Sequence, residues 1–198
     1  MSQASFRRKV PYAERAYCFL DLEGTGTKPG FHEITEIGIK HTELGQYHRI
    51  VKPRFLERAE PKALQVSGYN SKDWAGSQFF EDLQEELRPY ITDCTIIGHN
   101  IWNYDIPMLR GQYEMAGVTD HEEWMSRDII DTQILARAVL VREGMKNISM
   151  RACRKFFGRG YEGAHNALED CFFNQDLFDD IMGRVSFKPI QPKQENLF

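Results

Sequence analysis

The chain reads as an α/β protein in which a mixed central sheet of about five strands is flanked by helices. Two features of its 198 residues predict this. In the first half, apolar residues alternate with a period of two, as in half-buried strands; later they recur at helical spacing around two short apolar runs. Strands followed by alternating helices and strands pack as a sheet covered by helices.

The elements follow in order. YCFLDL from Tyr17 is a short apolar run, ITEIGIKH from Ile34 places Ile37 and Ile39 on one side, and GQYHRIV alternates again after a turn at Gly45. These make a three-stranded meander. A short helix is expected over Pro61 to Val66, and a longer one from Ser77 with Phe80, Leu83, Leu87 and Tyr90 at helical spacing. TIIGH returns as a buried strand, followed by a helix over Asp105 to Ala116 and a short strand over Asp128 to Asp131. Helices over Thr132 to Arg142, Ser149 to Phe157 and Asn166 to Gly183 close the fold. A chain of this size suits one domain, expected over residues 15–185, with residues 1–14 and 186–198 as tails that lack periodicity.

Composition excludes several classes. No run approaches the roughly 18 apolar residues of a membrane helix. The opening MSQASFRRKVPYAER has basic residues but no apolar stretch behind them, so no secretory signal is expected. A cytoplasmic or otherwise reducing location follows as the expectation. Cys18, Cys94, Cys153 and Cys171 form no CxxC pair and sit among apolar neighbours, the pattern of buried free thiols. The net charge of −4 argues against a general positive coat but leaves room for a local basic groove. KPRFLER (Lys52 to Arg58) and RACRKFFGRG (Arg151 to Gly160) are the two basic stretches.

Three segments carry candidate chemistry. FLDLEGTGTKPG, from Phe19, has three glycines and Lys28, yet it matches neither GxxxxGK[ST] nor GxGxxG opening a helix, and Pro29 and Gly30 oppose a helix there. Its content is acidic instead. Side chains alternate across a strand, so Asp21 and Glu23 share a face opposite Leu20 and Leu22, and paired hard oxygens suit Mg²⁺ or Mn²⁺. GHNIWNYDIPML, from Gly98, ends a strand in His99 and Asn100 and places Asp105 where a helix begins; a helix N-cap explains that acid equally well. GAHNALEDCFFNQDLF, from Gly163, sets His165 before a helix and Asp170 at the border of its apolar stripe. Taken singly, a surface D-x-E and a polar helix cap explain these residues as well as catalysis does.

Taken together and in this order, DLEGTG, GHNxxxYD and HxxxxD resemble the DEDDh 3′-to-5′ exonucleases, the DnaQ-like branch of the ribonuclease H-like fold. HEITEIGIK, VSGYN and IIDTQILAR extend the resemblance over Tyr17 to Met182. The resemblance implies a three-layer fold and two divalent metal ions, Mg²⁺ or Mn²⁺, on Asp21, Glu23, Asp105 and Asp170. It implies His165 as general base, whereas the tyrosine branch has tyrosine where this chain has Asn166. A near-neutral imidazole suits that task. The implied reaction removes nucleoside 5′-monophosphates from 3′ ends of single-stranded or frayed DNA. Exoribonuclease action is the alternative, and a silent nucleic-acid-binding module is a third reading, which a damaged acid set would mark. Substrate contacts are expected from Leu22, Gly24 and Thr25, from His99, Asn100 and Tyr104, and from Arg151 with Arg154 and Lys155. Tyr69, Trp74 and Trp102 are candidate stacking residues, with ordinary packing an equal account. Two departures stand out: Gly24 replaces the threonine of many relatives, and the gap from Asn100 to Asp105 is one residue longer than the shortest family pattern. The nucleic-acid 3′ end is the expected partner; neither a polymerase nor a homodimer is legible.

Overall fold

A computed structural model describes residue 11 and residues 14–160 and 166–185. In chain order the elements are β1 (Tyr17–Gly24), β2 (Ile34–His41), β3 (Gly45–Ile50), α1 (Pro61–Val66), α2 (Ser71–Trp74) and α3 (Phe80–Leu87). Then come β4 (Thr95–Gly98), α4 (Asp105–Met115), α5 (His121–Trp124), β5 (Ile129–Asp131), α6 (Thr132–Val139), α7 (Met150–Phe156) and α8 (Ala167–Arg184). The five strands form one sheet in the order β3-β2-β1-β4-β5. β2 is antiparallel to both of its neighbours, while β1, β4 and β5 run parallel.

The two-residue period of β1 sorts its side chains between the two helical layers. Cys18, Leu20 and Leu22 join Phe80, Leu83 and Leu87 of α3 and Ile106, Leu109 and Tyr113 of α4. Phe19 packs on the other face against Cys171 and Phe178 of α8. Asp21 and Glu23, two and four residues beyond Phe19, share the α8 face by the same alternation. All four cysteines are free and buried.

Two boundaries and one capping role differ from expectation for local reasons. Gln78 is drawn into a bridge with Val51, and the Lys52 N–H donates to its carbonyl, so α3 starts at Phe80 instead of Ser77. α6 ends at Val139 and tightens into a 3-10 turn over Leu140–Glu143, closed by Gly144 at φ 94°. Asp105 is the first helical residue of α4, with Tyr104 in the cap position, and its carboxylate turns inward rather than capping. Among the described residues no helix is long and apolar enough to cross a membrane.

One contact sets the height of α8 over the sheet. A Cβ on Gly38 of β2 would stand 2.2 Å from the Ala167 carbonyl carbon, so only glycine lets the first turn of α8 lie directly on the strand. The Cys171 thiol, one turn on, donates to the Gly38 carbonyl at 3.1 Å. The same helix carries Asp170.

Candidate active site

The C-terminal end of β1 brings the acids together. Carboxylate oxygens of Asp21, Glu23 and Asp170 all lie within 4.8 Å of one another. Asp105, from the start of α4, stands beside this triplet with one oxygen tied: Oδ1 accepts the Leu22 N–H at 2.9 Å. That bond crosses from helix to strand and leaves the second oxygen uncommitted by it. A cleft of about 230 Å³ is walled by all four acids with Leu22, His99, Asn100, Tyr104 and Met150. His165 lies outside the described residues.

The electrostatics are those of too many acids in too little water. Burial, followed by the charges of Asp105, Asp170, Glu23 and Glu36, pushes the Asp21 carboxyl well above the ordinary range. Glu23 rises to about 8 through burial and then the charges of Glu36, Asp170 and Asp105. Asp105 also rises to about 8, burial outweighing the Leu22 N–H that favours its anion. Asp170 differs in having the Arg154 guanidinium at 3.3 Å. Clustered hard oxygens with raised proton affinity form the donor set that a small divalent cation prefers, so these residues fit Mg²⁺ or Mn²⁺.

The other sequence-derived residues divide by what their side chains already hold. His99 is committed on both ring nitrogens, Nδ1 to Thr132 Oγ1 at 3.1 Å and Nε2 to the Ile148 carbonyl at 2.8 Å, and burial lowers its pKa. It braces the cleft wall. Asn100 adopts φ 64°, held by its N–H to Asp131 Oδ1 and by Asn103 Nδ2 donating to its Oδ1. Thr25 is fully buried, its hydroxyl accepting the Glu33 N–H, so its side chain faces inward. Arg151 is exposed on α7. Trp74 is buried and donates to the Thr35 carbonyl, whereas Trp102 is 44% exposed.

Gly24 and Tyr104 interlock. A Cβ at Gly24 would meet the Tyr104 hydroxyl at 2.8 Å and the Glu33 carbonyl at 2.9 Å, so the tyrosine occupies the space a threonine side chain would need. The two line a second cavity of about 360 Å³, continuous with Glu23 and bounded by Gly26, Thr27, Glu60 and Lys62.

Two residues escaped the sequence reasoning. Glu36 lies opposite Glu23 in the β1–β2 register, is 4% exposed, accepts the Ala167 N–H at 3.1 Å and pairs with His48 Nε2 at 2.7 Å. It ties the first turn of α8 to the sheet. An acid in the middle of ITEIGIKH, a nearly continuous buried strand, was the available signal, since a buried carboxylate needs partners. Asp131 is the other: it accepts the N–H groups of Asn100 and Gln133, capping α6 and holding the turn after β4.

A helix-flanked sheet of this order, with acids converging where β1 ends, is the ribonuclease H-like fold. Residues 18–178 match the family model described as Exonuclease, and the chain belongs to that family. It is 23% identical over 182 residues to a putative bifunctional exonuclease/endonuclease protein of Mycobacterium tuberculosis, covering 87% of this chain and 27% of that one. It is also 23% identical over 169 residues to the DNA polymerase III subunit epsilon of Treponema pallidum, covering 84% and 76%. E. coli Exonuclease I in complex with a dT13 oligonucleotide shares the fold with a TM-score of 0.71 and 16% identity, over 86% of this chain and 41% of that one. The chain spans between 17 and 27% of the first curated relatives it matches.

Proposed function

We propose that this chain hydrolyses phosphodiester bonds from the 3′ end of single-stranded or frayed DNA, releasing nucleoside 5′-monophosphates, with two divalent cations, Mg²⁺ or Mn²⁺. The observation that carries the reading is the triplet of carboxylates within 4.8 Å at the C-terminal end of β1. Asp21, Glu23, Asp105 and Asp170 are the residues that would hold the ions. When bound, the ions supply a nucleophile at neutral pH and stabilise charge on the attacking and leaving oxygens.

The protein's own groups supply orientation and proton handling. The Leu22 N–H holds the Asp105 carboxylate in one rotamer, and Arg154 does the same for Asp170. Glu23 and Tyr104 line both the acid cleft and the second cavity, which has room for the terminal nucleoside. The side chain of His99 is occupied, so its part is to fix the cleft wall, and Asn100 beside it presents backbone to the strand. Exposed Arg151 adds positive charge for the phosphates. His165, the general base that the family resemblance implies, would receive the proton of the attacking water.

A time course on matched DNA and RNA strands, labelled at either end, tests this. The 3′ label should leave first as a mononucleotide in Mg²⁺ or Mn²⁺, the 5′-labelled strand should shorten as a ladder, and EDTA should stop both. Internal cleavage, or activity that survives EDTA, would overturn the reading. Faster digestion of RNA would replace DNA as the substrate and keep the chemistry.

A further inference from the structure

The segment KPRFLER and the lysine of FLDLEGTGTKPG meet in the folded chain. Lys28 Nζ sits 4.9 Å from the centroid of the Phe31 ring, and the Arg58 guanidinium lies over both Phe31 (5.3 Å) and Phe55 (3.8 Å). Lys52 and Arg54 sit over Phe79 at 5.2 and 4.0 Å. Five of the eleven such contacts among the described residues fall on these three rings. Arg58 thus bridges two rings, Phe31 and Phe55, while Lys52 and Arg54, from the same loop as Phe55, lie on Phe79. Chance charge on a solvated loop does not require this interleaving, and Phe31 remains 38% exposed.

The surface is fixed to the candidate active site. Glu33, 3% exposed, accepts the N–H groups of Arg54 and Phe55 at 2.9 and 2.7 Å, clamping the loop that carries the rings. Thr25 bonds Glu33 through both its N–H and its hydroxyl, and its carbonyl accepts the Glu60 N–H at 2.7 Å. Lys28 follows Thr27, and Glu60 stands two residues beyond Arg58; both Thr27 and Glu60 wall the cavity beside Glu23. The surface therefore begins where that cavity ends. Acids are also present: Glu81 pairs with Arg54 at 2.8 Å, and Glu57, 72% exposed, reaches Arg58 only at 4.0 Å. Lys28, Lys52 and Arg58 are the cations left best placed for phosphates.

We propose that this surface binds the stretch of single strand immediately upstream of the 3′-terminal nucleotide, with bases stacking on Phe31 and Phe55 and phosphates meeting Lys28, Lys52 and Arg58. The proposal rests on the exonuclease reading for its choice of strand, and it deepens that reading by giving the substrate a path. Stacking on aromatic faces beside a basic track is how single strands are held without sequence preference. Lys28 gains a role here that no nucleotide loop gives it.

The test is length dependence, read by anisotropy in EDTA and by steady-state kinetics in Mg²⁺. For the double variant Lys28→Ala/Arg58→Ala, affinity for a 20-nucleotide dT strand should fall about 10-fold, and the slope of log K against log salt should drop by about 1.4, two phosphate contacts at ~0.7 each. KM should rise similarly on that strand and less than about twofold on a dinucleotide too short to leave the acid cleft. Phe31→Ala should weaken the 20-mer with no change in salt slope. Arg127→Ala, a 72% exposed charge elsewhere on the surface, is the control and should change neither. Equal losses on both lengths, or an unaltered 20-mer affinity, would overturn the surface; the latter is also the outcome if a protein partner uses it. Should the parent bind the 20-mer through these residues yet hydrolyse nothing, the surface stands and the nuclease reading falls. Should it hydrolyse the strand while the variants bind it normally, the reverse holds.

Discussion

The parallel strands β1, β4 and β5 carry carboxylates at both ends, and the fold treats the acid ahead of β5 and the cluster at the end of β1 in opposite ways. Where the strands begin, Asp128 just ahead of β5 accepts the Thr95 hydroxyl at 2.5 Å and faces Arg15 at 3.4 Å. Buried acids beside the cluster are matched as well: Glu33 takes two backbone N–H groups, and Asp131, the last residue of β5, takes two. Where β1 ends, every neighbour that moves Asp21 raises its pKa. A carboxylate needed only for folding is given donors, because burying it without them costs several kcal/mol. A cluster held together against its own repulsion points to a ligand that compensates it.

The sharpest break of this contrast compares one substitution at each end. Asp21→Asn should lower the initial rate on a 3′-labelled strand by about 10³-fold or more. In EDTA the same change should raise the unfolding midpoint, since a carboxyl whose ionisation is penalised by burial and by its acidic neighbours is gone. Asp128→Ala should leave the rate within about twofold and lower the unfolding free energy by about 1–3 kcal/mol, because Thr95 and Arg15 lose their acceptor. If both substitutions destabilised the metal-free protein equally, the two ends would not differ in kind.

A smaller effect is expected from the contact that delivers Asp170 to the acid end. Gly38→Ala puts a methyl 2.2 Å from the Ala167 carbonyl carbon, so the start of α8 must lift. Overpacking of this kind costs about 1–3 kcal/mol. A displacement near 1 Å at Asp170 should also lower kcat by roughly 10- to 100-fold. A fall in stability without a fall in kcat would show that α8 carries Asp170 independently of this contact.

How much of this was legible in the sequence depends on the range of the interaction. The period of β1 was readable from residues two apart, and it placed Asp21 and Glu23 on one face, opposite Leu20 and Leu22. The strand order with β1 at the centre was not readable from periodicity, because nothing in TIIGH says which strand it joins; only the folded sheet shows it. The acids were found by motif order, yet their electrostatics depend on Glu36, brought opposite Glu23 by strand register and onto Ala167 across 131 positions. Asp105 illustrates the limit most plainly: local rules allow an N-cap, and only the fold supplies the Leu22 N–H, 83 residues away, that turns it inward. Lys28 had no local meaning until the fold placed it over Phe31.

The mildest test of the two ends is pH. Glu23 is pushed to about 8, first by burial and then by the charges of Glu36, Asp170 and Asp105, and Asp105 is pushed to about 8 by burial. Both lie near 4 in the unfolded chain. Between those values the folded protein holds protons that the unfolded chain has released. The contribution to stability is therefore complete below about pH 4, declines as pH rises and is gone above about 8. In EDTA the unfolding free energy should fall by on the order of 1 kcal/mol per pH unit between pH 5 and 8. Mg²⁺ selects the ionised carboxylates, so saturating Mg²⁺ should flatten that slope, and the stabilisation it gives should grow with pH. Glu23→Gln should reduce the slope in EDTA, because one of the two raised carboxyls is gone. Stability that rises with pH in EDTA, or a slope indifferent to Mg²⁺, would mean that the acids at the end of β1 are compensated from within the protein, as Asp128 is by Thr95 and Arg15.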